Sequence, residues 1–97
     1  MNIGAHVSSA GGISKSIERA SSIGAESMQI FVSSPRTWAF KPPSDQEVKS
    51  FHEKLIDSAI SSVFIHGTYL INLGGESDLV AKSVDILKQH MLVAGRI

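Results

Sequence analysis

A histidine at the end of a short apolar run is the residue of this 97-residue chain best suited to chemistry. The run Ser62-Val63-Phe64-Ile65 favours a β-strand, His66 follows it, and Gly67 breaks the pattern at once. Neutral imidazole binds zinc, and strand ends are where parallel α/β proteins build sites. Catalytic zinc needs three or more protein ligands, however, and no second histidine or carboxylate stands at ligand spacing from His66. Spacing alone leaves two interpretations open, a metal ligand and, favoured, a hydrogen-bonded structural histidine.

The other three histidines are weaker candidates. His6 closes the first apolar run as His66 closes the third, so it has the same placement and the same structural alternative. His52 and His90 lie among helical residues off the apolar stripes, and we expect both to be solvated surface groups.

A proline-rich loop combines two cations with two large rings. Arg36, Trp38, Phe40 and Lys41 occur together without an acidic residue, which is the chemistry that holds phosphates and stacks or wedges against bases. Tyr69 and Leu70 could do similar work after the third run. The residues alone favour another interpretation, in which Trp38 and Phe40 pin the loop onto the helices and Arg36 is solvated.

Composition and missing motifs exclude several classes. No carboxylate pair stands at a strand end, no Gly-x-Ser-x-Gly elbow occurs, and Gly11-Gly12 lacks the lysine and spacing of a phosphate-binding loop. Nine basic and nine acidic residues give no net charge, so charge alone does not indicate nucleic acid. The absence of cysteine excludes a disulfide scaffold and fits a cytoplasmic protein, and no run is long enough to predict a membrane span.

Short apolar runs alternate with segments of helical spacing, which predicts the order βαβαβα. Expected strands are 2–7, 27–32 and a third ending at His66. Ser44 with Glu47 predicts a capping box for the second helix, and Gly24 and Gly95 predict the ends of the first and third. The expected buried stripes are Ile13, Ile17, Ala20 and Ile23; Val48, Phe51, Leu55 and Ala59; and Val80, Val84, Leu87, Met91 and Ala94.

This alternation predicts an α/β fold with parallel strands joined by right-handed crossovers. Helices on one side would leave the other face of the sheet bare, and the chain stops where a next strand would begin. We therefore expect residues 1–97 to be one incomplete domain, the first three βα units of a TIM (β/α)8 barrel. Strand alternation predicts the members of the bare face: Gly4, His6, Gln29, Phe31, Phe64 and His66.

Three ordered motifs are similar to the N-terminal third of the endonuclease IV family. They are Ile3-Gly4-Ala5-His6-Val7-Ser8 with Ala10-Gly11-Gly12, then Arg36-Thr37-Trp38, then the segment from His66 to Gly74 that contains Tyr-Leu-Ile-Asn-Leu-Gly. Together they span nearly the whole chain, and the third is close to a signature of that family. Gly67-Thr68 is a minor variation within it.

The resemblance implies a zinc-dependent apurinic/apyrimidinic (AP) endonuclease of base excision repair. Such an enzyme has a trinuclear zinc cluster and hydrolyses the phosphodiester 5′ to an abasic site in double-stranded DNA. His66 matches a zinc ligand of the family. Arg36 matches the loop arginine that enters the DNA at the lesion, and Tyr69 and Leu70 match the residues that wedge into the base stack. His6 lies near the family's active site without matching a ligand.

The remaining ligands of the family lie on later strands, which this sequence does not contain. We therefore expect the 97 residues alone to be inactive, and at most one zinc ligand to come from this chain. The alternatives are a non-catalytic remnant or partner-dependent fragment, completed by a complementary chain, and a barrel of the sugar isomerase or epimerase kind. The Arg-Thr-Trp loop and the Tyr-Leu pair favour DNA over a sugar.

Overall fold

Six elements alternate along the chain in the computed structural model, which describes residues 1–97. They are β1 (Gly4–His6), α1 (Lys15–Ser22), β2 (Ser27–Ile30), α2 (Asp45–Ile56), β3 (Ser62–Ile65) and α3 (Ser77–Ala94). The predicted order βαβαβα is confirmed. The first two strands are shorter than the expected 2–7 and 27–32.

The three strands form one parallel sheet in the order β1-β2-β3. His6 pairs with Gln29 and Gln29 with Phe64, so these side chains share one face. The hydrogen bonds of the ladder continue past the strand ends, since His66 N–H donates to the Ile30 carbonyl at 2.9 Å and Val7 N–H to that of Gln29 at 3.0 Å. These bonds hold the residues just beyond each strand in register.

Gly24 ends α1 as predicted. Its φ of +72° is a left-handed conformation that glycine adopts without strain. Gly24 N–H donates to the Ser21 carbonyl at 3.0 Å and Ala25 N–H to the Ala20 carbonyl at 3.0 Å, the two bonds of a Schellman motif. Gly95 also stands at the cap of α3, but with φ −71° it remains right-handed, so its lack of a Cβ is not needed there.

Half of the predicted capping box is present at the start of α2. Ser44 Oγ accepts a hydrogen bond from Glu47 N–H at 3.1 Å, as expected of an N-cap serine. The Glu47 carboxylate does not turn back to its own helix, however. It accepts from the Ser14 N–H at 2.8 Å and so ties α2 to the start of α1.

The helices cover one face of the sheet and leave the other open. Met28 and Ile30 of β2 are buried against α1 and α2 residues such as Ile17 and Phe51, and this layer forms the core. On the opposite face Phe64 is 59% exposed, and Gly4 and His6 are exposed as well. The predicted bare face is therefore confirmed. No helix of the structure combines the length and apolar character needed to cross a membrane.

Helix α3 is rotated relative to the prediction. The residues buried on it are Ser83, Ile86, His90 and Val93, whereas Met91 of the predicted stripe is 71% exposed. Met91, Ala94 and Leu87 instead line an open groove beside β3. The prediction was wrong because it assumed that apolar residues face the core, while Ser83 and His90 are buried through hydrogen bonds to loops. Ile23, at 63% exposed, and Ala59, beyond the end of α2, also lie outside the buried stripes.

Candidate functional site

Four rings meet at the carboxyl edge of the sheet, one or more from each strand end. We call His6, Phe31, His66 and Tyr69 the ring cluster. The Phe31 centroid lies 4.6 Å from that of His6 and 4.9 Å from that of His66, and the two imidazoles are 5.9 Å apart. Tyr69 packs edge-on against Phe31 at 5.4 Å and lies 6.1 Å from His66. The parallel topology brings these rings together, because all three strands end at the same edge.

The hydrogen bonds of the histidines decide which ring nitrogen is available. His66 Nδ1 is 2.6 Å from the carbonyl oxygen of Gly67, which can only accept, so Nδ1 carries the proton. In the neutral ring Nε2 then keeps its lone pair. His6 Nδ1 lies 3.1 Å from Gln29 Oε1 and is arranged similarly. In metal-binding histidines, the ring nitrogen that does not bind the metal usually donates a hydrogen bond to a backbone carbonyl or a carboxylate. The bond from His66 to Gly67 is of this kind.

The chain does not assemble a complete metal centre. His66 fits one ligand, since it is half-buried and presents Nε2. No group of three histidine, cysteine, aspartate or glutamate side chains lies close enough to hold an ion. A zinc site with the usual three or four protein ligands would therefore need residues from outside these 97.

The two loops that carry the other predicted site residues are tied together. Tyr69 N–H donates to the Pro35 carbonyl at 2.9 Å, which places Arg36 and Tyr69 at the same edge. Arg36 is exposed, Tyr69 is 63% exposed and Leu70 is half-buried. A guanidinium and an amphipathic ring thus project from the edge that holds His66, an arrangement suited to phosphates and to stacking against bases.

The loop from 66 to 76 is anchored by a serine that the sequence did not single out. Ser83, fully buried on α3, accepts from Asn72 N–H at 2.9 Å and donates to the Asn72 carbonyl at 3.3 Å. Asn72 Oδ1 in turn accepts from Gly74 N–H at 3.0 Å, which closes a tight turn. The sequence did contain one indication that Ser83 is buried. Ser83, Ile86, His90 and Val93 recur at helical spacing and so share one face of α3.

His90 was wrongly predicted to be a solvated surface residue, since only 4% of it is exposed. Its Nε2 lies 3.0 Å from Ser33 Oγ, its ring lies 5.5 Å from that of Phe40, and Nδ1 is buried without a partner. Burial lowers the pKa of His90.

His52 is exposed as predicted, with Nε2 2.6 Å from the Arg96 carbonyl oxygen. Phe40 packs against the core, and so pins its loop to the helices.

A cleft of about 480 Å³ adjoins the ring cluster between the β1–α1 and β2–α2 loops. His6 and Phe31 line it on the sheet side. Its other polar lining consists of serine hydroxyls, one cation and one carboxylate, namely Ser8, Ser9, Ser33, Ser34, Lys41 and Glu47. The carboxyl edge of the sheet therefore carries hydrogen-bond donors, a cation and ring faces. These groups can bind and orient a ligand, but they do not by themselves hydrolyse one.

Comparisons with known proteins identify the fold. No protein-family model matches the chain. The solved structure of endonuclease IV from Thermus thermophilus superposes with a TM-score of 0.94 and 36% identity, and the match covers 99% of this chain and 36% of that one. That structure is a TIM barrel. The three βα units are accordingly the start of a TIM barrel, as the alternation of elements predicted.

Sequence relatives give the same result. A probable endonuclease 4 of Halothermothrix orenii is 41% identical over 91 residues, which are 93% of this chain and 33% of the relative. That of Aquifex aeolicus is 43% identical over 89 residues, 91% of this chain and 31% of the relative. In sequence and fold the chain is similar to endonuclease IV, and it spans about a third of the length of the relatives it matches.

Proposed function

We propose that this chain is the part of an AP endonuclease that supplies the first zinc ligand and the lesion-recognising loops. The observation that supports the proposal is the convergence at one sheet edge of His66, Arg36 and Tyr69, held together by the bond from Tyr69 N–H to the Pro35 carbonyl. The substrate class is double-stranded DNA with an abasic site. The reaction is hydrolysis of the phosphodiester on its 5′ side.

The roles that we assign to the residues are those that the resemblance to endonuclease IV implies, and the placement of the residues supports them. Arg36 enters the duplex at the lesion and pairs with a phosphate, since its guanidinium is exposed. Tyr69 and Leu70 occupy the gap that the missing base leaves in the stack, one through a ring face and the other through apolar contact. His66 Nε2 would hold zinc together with ligands from outside these residues. Zinc, when bound, activates water and neutralises charge on the phosphate.

We further propose that residues 1–97 form an incomplete domain. β1 and β3 are both edge strands in the order β1-β2-β3, and the face carrying Phe64 lacks cover. The remaining strands of a barrel, whether in the same polypeptide or in a complementary chain, would pair with both edges and close over that face.

DNA binding tests the recognition role. A 20-base-pair duplex with one central tetrahydrofuran abasic analogue and the same duplex without it are titrated with the 97-residue chain by fluorescence anisotropy. We expect a preference for the abasic duplex that Arg36→Ala reduces about fivefold, which corresponds to about 1 kcal/mol. Lys88→Ala, an exposed cation on α3 away from the edge, is the matched control and should bind as the parent does. Equal binding by Arg36→Ala and the parent would contradict the role of Arg36.

Incision tests the metal role. The chain alone should not cleave abasic duplex DNA with or without added Zn²⁺, because one imidazole does not make a catalytic zinc site. Incision by the purified chain that a chelator abolishes would overturn this expectation. Zinc titration followed by the NMR shifts of the imidazole protons should show weak binding at His66, lost in His66→Ala, while the signals of exposed His52 stay unchanged.

A further inference from the structure

The loop that presents Arg36 has little internal structure. Residues 31–44 separate β2 from α2 without a helix or a strand, and their internal backbone structure is limited to a turn at Pro35-Arg36. Its order comes from contacts with other parts of the chain. Three carbonyls of the loop accept hydrogen bonds, Phe31 from Ser9, Pro35 from Tyr69 and Pro43 from Arg96. Val32 and Phe40 pack in or against the core, and His90 contacts the loop as well.

His90 contacts this loop on both sides of Arg36. Its Nε2 lies 3.0 Å from Ser33 Oγ, three residues before Arg36, and its ring packs against Phe40, four residues after it. His90 itself is fixed, because it lies near the end of the 18-residue helix α3 and is 4% exposed. A rigid helical side chain therefore contacts both arms of the loop, beside the bond from Tyr69 N–H to the Pro35 carbonyl.

We infer that His90 is a positioning residue, which holds the 31–44 loop so that Arg36 stays at the carboxyl edge beside Tyr69. It acts through Ser33 and Phe40 and does not itself touch the edge. The inference relies on the proposed function only for the task of Arg36 in DNA binding. The hold on the loop follows from the contacts alone.

The polar contact is specific to one ring nitrogen, and this supplies a test by substitution. Glutamine places an amide where Nε2 stands and can keep the bond to Ser33, whereas asparagine places its amide at Nδ1, which has no partner. Leucine fills the site without any polar contact. Ser33→Ala removes the same bond from the loop side and leaves the packing of α3 unchanged.

Limited trypsin digestion measures how readily the 31–44 loop opens. Arg36 precedes Thr37 and is cleavable, whereas Lys41 precedes proline and is resistant, so fragments 1–36 and 37–97 report opening of this loop. Cleavage after Lys88 on α3 reports unfolding of the helix layer. We expect His90→Leu, His90→Asn and Ser33→Ala to speed cleavage after Arg36 about fivefold relative to Lys88, the scale of one lost hydrogen bond, and His90→Gln to restore the parent rate.

Two outcomes would overturn the inference. One is an unchanged rate of cleavage after Arg36 in both His90→Leu and Ser33→Ala. The other is equal acceleration at both sites, which would make His90 a residue of general stability. If His90→Leu fails to fold, Ser33→Ala and His90→Gln still decide between these outcomes, because neither leaves a large cavity.

Abasic-DNA binding separates this inference from the proposed function. If both hold, His90→Leu lowers the preference for abasic duplex, and adding it to Arg36→Ala causes no further loss. If Arg36→Ala leaves binding unchanged while His90→Leu still exposes the loop to trypsin, the proposed function fails and the positioning role of His90 stands.

Discussion

At the scale of single residues, Glu47 links two helices through one hydrogen bond. Because the Ser14 N–H donates to its carboxylate, the pKa of Glu47 is lowered from its usual value. The pKa of this carboxyl is lower in the folded protein than in the unfolded chain, where it is about 4.3. Its ionised form therefore stabilises the fold at any pH above about 4.3. This stabilisation is lost as the pH falls through the pKa of the folded state.

Glu47→Gln should therefore flatten the dependence of stability on pH below about 4.3 and cost about 1 kcal/mol at neutral pH. Urea unfolding at pH 7 and pH 3.5 measures both effects. Glu53→Gln on the same helix is the control, since Glu53 is exposed and lies 4.0 Å from Lys49. A parallel pH profile for Glu47→Gln and the parent would contradict the role of the Ser14 bond.

At the scale of elements, the loop from 66 to 76 depends on helix α3 through Ser83. Ser83→Ala would leave the Asn72 N–H without its partner at a part-buried position, which costs about 1 kcal/mol. We expect faster amide hydrogen exchange at Asn72 and Gly74 with little change in α1. Ser21→Ala, an exposed serine of α1, should change neither the exchange nor the free energy of unfolding. Unchanged protection of Asn72 in Ser83→Ala would show that the loop is held by other contacts.

At the scale of the whole molecule, the structure is flatter than a closed domain. Its Cα radius of gyration is 14.1 Å and its extents are 43 × 30 × 20 Å, whereas a compact domain of this length has a radius near 12.5 Å. Its accessible surface of 6022 Å² exceeds the roughly 5,400 Å² typical of a folded chain of this mass. The excess is consistent with the uncovered sheet face around Phe64.

The open face predicts self-association of the isolated chain. Phe64→Thr should shift sedimentation velocity profiles toward monomer and lower the binding of a hydrophobic dye. Stability should change little, because Phe64 is 59% exposed. Ile56→Thr, on α2 and 83% exposed, is the matched control for a loss of surface apolarity away from the sheet. A parent chain that is monomeric and binds no dye would contradict the prediction.

Local pattern determined the order of the elements, the cap at Ser44, the stop at Gly24 and the open face of the sheet, because these depend on neighbouring residues and on a strand's alternation. The motifs around His66, Arg36 and Tyr69 predicted the similarity to endonuclease IV that the comparisons show. Only the tertiary structure decided that Glu47 bonds Ser14, that Ser83 and His90 are buried, and that the Pro35 carbonyl joins the two loops. Each of those contacts joins residues distant in sequence, and a polar residue's burial depends on a partner that its own helical spacing does not reveal.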